Sequence, residues 1–72
     1  MANAIYKDYL IVSSAKLDAV SDTWTCNVLI SWKLEHAQFN FHQLYSSEHF
    51  VDAGEAQSFG IDLAKAWIDA RM

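Results

Sequence analysis

The chain has 72 residues and a net charge of −4, with 53% hydrophobic and 14% aromatic side chains. A chain this short makes one domain, residues 1–72, and buries only about 60% of the surface its unfolded form exposes. The acidic balance argues against nucleic acid and anionic lipid as partners. The single cysteine, Cys26, excludes an internal disulfide, and no apolar run approaches the roughly 20 residues of a membrane span.

The first strand is predicted over Ile5 to Ala15, with Tyr6, Tyr9, Leu10, Ile11 and Val12 as its apolar residues. Both of its faces carry apolar side chains. A bulge at Lys7-Asp8 would bring Tyr6 and Tyr9 to the same side, because a bulge adds one residue to the count. Lys16 to Asp22 follows as a hairpin connection, with turn chemistry in Asp18, Ser21 and Asp22.

The central strand is predicted over Thr23 to Glu35. Trp24, Cys26, Val28, Ile30, Trp32 and Leu34 alternate with Thr23, Thr25, Asn27, Leu29, Ser31 and Lys33. Period-two alternation over a dozen residues is the pattern of an antiparallel sheet with one solvated face. His36-Ala37-Gln38 is then read as a turn, and Phe39 to Ser46 as the third strand. Phe39, Phe41, Gln43 and Tyr45 are assigned to the covered face. Asn40, His42, Leu44 and Ser46 are assigned to the open one.

A helix is predicted from Ala53 to Arg71. Asp52 stands at its N-cap with Glu55 three positions on, a box-like start. Ala56, Phe59, Gly60, Leu63, Ala66 and Trp67 form its apolar stripe. Gly60 costs about 1 kcal/mol relative to Ala in a helix interior, which points to close approach of helix and sheet. The expected architecture is α+β: a three-stranded antiparallel meander with one C-terminal helix packed on one face, in the order β-β-β-α.

No catalytic or metal-binding pattern stands out. His36, His42 and His49 match no zinc-ligand spacing. Cys26 falls on the apolar face of the central strand, where desolvation lowers thiol reactivity. Glu48, Asp52 and Glu55 gather near the helix start, where the helix dipole favours negative charge. Gly54 and Gly60 make no phosphate loop. Aromatics on a sheet can stack bases, but Trp24, Trp32, Phe39 and Phe41 are all assigned to the face that the helix covers. The expectation is a non-enzymatic protein without cofactor or metal.

Tyr6-Lys7-Asp8-Tyr9 with Ile11, then Phe50, then Ala56, Gly60 and Ala64-Lys65-Ala66-Trp67-Ile68-Asp69 are spread along nearly the whole chain. In this order they resemble small uncharacterised bacterial single-domain proteins of β-β-β-α fold. The resemblance implies the fold and no activity.

Small domains are commonly completed by a disulfide, a metal or a second subunit. With the first two set aside, the apolar surplus predicts a homodimer or an interaction with an unidentified protein. Leu10, Val12, Leu29 and Leu44 on the open face, with Ile61 and Ile68 on the helix flank beside Ala64, are the candidate interface. On this reading Leu29→Asp and Ile68→Asp each yield folded monomers. The absence of a basic-then-apolar leader predicts the cytoplasm. A nucleic-acid-associated regulator is the runner-up.

Overall fold

The computed structural model describes residues 2–34 and 38–71. It is an α+β fold: an antiparallel sheet with a single C-terminal helix against one face. The strands are β1 (Ala2–Tyr6), β2 (Tyr9–Asp18), β3 (Thr23–Lys33) and β4 (Phe39–Tyr45), and the helix is α1 (Ala53–Arg71). The sheet order is β1-β2-β3-β4. The described residues form four strands, not the three expected from the sequence and implied by the β-β-β-α resemblance.

The extra strand arises at Lys7-Asp8. Both residues take positive φ, 49° and 67°, and they close a two-residue hairpin in which Tyr6 pairs with Tyr9. This is the backbone of a type I′ turn, whose twist matches that of the flanking strands. The expected bulge is therefore a full reversal. Tyr6 and Tyr9 do share a face, but as cross-strand partners.

The next connection is shorter than expected. β2 runs on to Asp18, opposite Thr23. Asp18 Oδ1 accepts from the Val20 amide at 3.0 Å, and the Asp22 amide donates to the Asp18 carbonyl at 2.8 Å. Asp22 absorbs the reversal at φ 55°. The expected turn at 36 and 37 and the end of the central strand at 35 lie outside the described residues.

The third expected strand is β4, and its faces are the reverse of those assigned from sequence. Val28 pairs with Leu44 and Ile30 with His42, whereas Ser31 pairs with Phe41 and Asn27 with Tyr45. Cross-strand partners share a face. Leu44 and His42 thus join the helix side, and Phe39, Phe41, Gln43 and Tyr45 stand on the open side. A shift of one residue exchanges the faces of a whole strand, and the register of β4 against β3 sets that parity here. Beyond β4, Phe50 returns to β3 and exchanges both backbone hydrogen bonds with Trp24, at 2.7 and 2.8 Å.

Asp52 caps α1: its Oδ2 accepts from the Glu55 amide at 3.2 Å, which satisfies one of the free donors of the first turn. The buried line of the helix is Ala56, Gly60, Ala64 and Ile68. Compared with the expected stripe it is rotated. Ala66 is exposed, and Phe59, Leu63 and Trp67 are half-buried along one flank. The small residues of the centre line explain the rotation, since they let the helix settle onto β2 and β3. A Cβ on Gly60 would overlap Ser13 Oγ and come within 2.8 Å of Val28 Cγ2. Ser13 Oγ instead donates to the Gln57 carbonyl at 2.9 Å.

Ile11, Val28, Ile30, Ala64 and Ile68 form the core, with Tyr6, Tyr9, Trp32, Leu44, Ile61 and Trp67 packed around it. Trp32 meets Tyr9 and Trp67 at centroid distances of 5.3 and 5.7 Å. Arg71 lies over both Trp32 and Trp67 at 4.8 and 4.7 Å. These rings close the end of the core near the helix C-terminus.

Candidate interaction surface

The sheet face away from α1 is built by alternation. β1 sends Ile5 to it, β2 sends Leu10 and Val12, β3 sends Leu29, and β4 sends Phe39, Phe41 and Tyr45. Register aligns them into rows: Ile5, Leu10, Ser31 and Phe41 across the four strands, then Asn3, Val12, Leu29 and Gln43. Phe39, Phe41 and Tyr45 are 60%, 64% and 70% exposed, and Ile5 is 79% exposed. Scattered apolar side chains are ordinary on a protein surface; a contiguous set on one face marks an interaction site. The described charges on this face are Lys16, Lys33 and the half-buried Asp18. The helix and the loops hold most of the acidic residues.

Among the described residues β4 also forms a free edge. The Leu34 amide donates to the Gln38 carbonyl at 2.6 Å, and the Ser46 amide to the Cys26 carbonyl at 3.4 Å. In an antiparallel ladder, hydrogen-bonded and non-hydrogen-bonded pairs alternate. The two bonds, with the register between them, direct the even-numbered residues of β4 toward β3. The amides and carbonyls of Phe39, Phe41, Gln43 and Tyr45 point away from the sheet. Natural edges are usually blunted by Lys, Pro, a bulge or shortness. β4 is seven residues of Phe-Asn-Phe-His-Gln-Leu-Tyr, with neither Lys nor Pro. The opposite edge, β1, is five residues and turns only Asn3 and Ile5 outward.

The residues expected at the interface are divided by the structure. Leu10 and Leu29 are on the open face, 43% and 37% exposed, with Val12 half-buried between them. Leu44 is on the helix side and packs against the core, as does Ile61. Ile68 is fully buried. It faces the sheet because the centre line of the helix passes through it, so it offers no surface in this chain. Phe39, Phe41, Tyr45 and Ile5 are the exposed residues that sequence reasoning placed elsewhere or passed over. Their alternation was visible; the parity of β4 was not.

The remaining polar groups have local roles. His42 stacks on Trp67 at 4.4 Å with planes 11° apart, on the helix side rather than the open side expected. His49 Nδ1 shares a hydrogen bond with Thr23 Oγ1 at 2.7 Å. His36 lies outside the described residues. Cys26 is buried, and desolvation pushes its thiol pKa up. Lys7 Nζ pairs with Asp69 Oδ1 at 2.7 Å, and Tyr6 Oη donates to the same carboxylate at 2.9 Å. These bonds, the Lys7 one foremost, hold Asp69 below the usual carboxylate range, and Asp69 raises Lys7. The Val20 amide chiefly lowers Asp18.

Among the described residues no three His, Cys, Asp or Glu side chains gather as a metal site, and no cavity opens. No described helix is long and apolar enough to cross a membrane. Comparison with protein-family models, with curated proteins and with solved structures gave no match to this chain.

Proposed function

We propose that the protein is a non-enzymatic interaction module that works as a homodimer in the cytoplasm and offers the open face of its sheet to a protein partner. The observation that carries this reading is the row of exposed apolar side chains on that face, with Phe39, Phe41 and Tyr45 at the β4 side. A one-helix, one-sheet domain leaves the far face and the edges of its sheet in water, and association, with a second copy at an edge and a partner protein on the face, removes them from it. The position of the acidic residues on the helix and loops supports the same reading, because like charges then lie away from the contact.

The test is solution mass by light scattering after size exclusion across a dilution series. The expected result is twice the chain mass of 8.2 kDa, falling toward one chain on dilution. A mass of one chain at every concentration overturns the homodimer.

The exposed rings also favour a second reading, a nucleic-acid-associated regulator in which bases stack on Phe39, Phe41 and Tyr45 beside Lys33. Binding of that kind weakens steeply with salt. Titration of a single-stranded oligonucleotide at two salt concentrations distinguishes the readings, and absence of binding at the lower one removes this alternative.

A further inference from the structure

Resting on the homodimer reading, we infer that the second copy docks on the free edge of β4, antiparallel, with the two-fold axis passing beside His42, so that two four-stranded sheets become one.

The argument starts from the outward backbone groups. Phe39, Phe41, Gln43 and Tyr45 each present an amide and a carbonyl to the edge, and they are placed symmetrically about His42. In the register that sets His42 opposite its own copy, Phe39 faces Tyr45 of the second copy and Phe41 faces its Gln43. Every outward group then has a partner, because each of these pairs is of the hydrogen-bonded type and exchanges two bonds. Moving the axis by one residue along the strand, to Phe41 or Gln43, sets one outward residue of β4 on each chain beyond the end of the copy's β4. The register about His42 is the one that satisfies the whole edge.

Side chains agree with it. The pairing sets Phe39 beside Tyr45 twice on the open face, and aromatic cross-strand pairs are among the favourable ones. β4 carries no Lys, Arg, Asp or Glu, so the seam brings no like charges together in a chain of net charge −4. The helix packs chiefly on β2 and β3 and reaches β4 through the stack of Trp67 on His42, which leaves the outer edge of β4 open to a neighbouring strand. The partner is therefore a second copy of this chain: its edge is self-complementary in length, hydrogen-bond phase and charge.

The experiment has three arms, read with the solution mass of the unaltered protein. In a Cys26→Ala background, His42→Cys sets two thiols in a non-hydrogen-bonded pair, with Cα atoms about 4.5 Å apart, inside the disulfide range. Mild oxidation is expected to convert it almost fully to a covalent dimer. Asn40→Cys in the same background lies four residues from its copy along the strand, roughly 14 Å, and stays uncrosslinked. Gln43→Pro removes an outward amide and no bond to β3, a position at which an edge strand accepts proline. It is expected to be a folded monomer of 8.2 kDa, while Leu29→Asp, on the face and off the edge, stays dimeric.

A dimer in which His42→Cys fails to crosslink, or which Leu29→Asp dissolves, overturns the edge and leaves the homodimer standing with a face-to-face contact. A wild-type monomer at all concentrations overturns both. Should Gln43→Pro fail to fold, the crosslinking pair decides.

Discussion

Gly60 shows how one atom can reverse the sign of a propensity. In a free helix, Gly60→Ala would gain about 1 kcal/mol. Here the added methyl group enters space held by Ser13 and Val28, and overpacking of this kind costs roughly 1–3 kcal/mol. We expect Gly60→Ala to lower the midpoint of urea unfolding. Ser13→Ala removes the nearest obstructing atom, so the double variant should lose less than the two single losses together, a coupling that a double-mutant cycle reads directly. Ile68 makes the complementary point. It was a surface candidate from sequence, and the structure buries it completely. An aspartate there places an unpaired carboxylate in the core, at a cost of several kcal/mol. Ile68→Asp should therefore fail to fold by circular dichroism, whereas Leu29→Asp should fold, because Leu29 already meets water.

At the scale of elements, the hairpin at Lys7-Asp8 is where the sequence was least legible. The usual sign of such a turn is Asn-Gly or Asp-Gly; here two non-glycine residues occupy left-handed backbone. Asp8→Gly should relieve one of them and raise stability by about 1 kcal/mol or less, measured as a shift in denaturant midpoint. The turn is also held from outside by the Lys7–Asp69 pair and Tyr6. Asp69 has its folded pKa depressed, so its contribution is present above the unfolded pKa and is lost as pH falls through the folded value. For Lys7 the folded pKa is raised, so its contribution holds below the unfolded value and is lost as pH rises through the folded one. The stability gap between the wild type and Asp69→Asn should therefore be constant near neutrality and close below the ordinary carboxylate range. The gap is small, since both groups are exposed and screened.

β3 and the start of α1 were readable because alternation and capping are local. The faces of β4 were not, because they depend on the register of β4 against β3, which no residue type declares. That single unknown hid the exposed phenylalanines and placed His42 and Leu44 on the wrong side. The interface candidates were legible only where they lay on β2 and β3, as Leu10, Val12 and Leu29.

At the scale of the molecule, shape and stability point the same way. The radius of gyration is 13.0 Å, and the Cα atoms span 45 × 19 × 16 Å. A compact chain of this length would have about 11 Å. Long strands under a single helix make an elongated body with much surface for its volume, and such a body gains most from a second layer or a longer sheet. If the folded chain is completed by its own copy, stability depends on concentration. For a dimer that folds as it associates, a tenfold rise in concentration adds about 1.4 kcal/mol per dimer, or about 0.7 kcal/mol per chain. In a domain of this size that raises Tm by about 3–6 °C. We expect calorimetric scans of the wild type to climb by that amount per decade of concentration, and scans of Gln43→Pro to stay level from a lower starting point. A wild-type Tm independent of concentration would mean that one sheet and one helix suffice, and that the rings of Phe39, Phe41 and Tyr45 are held open for a different molecule.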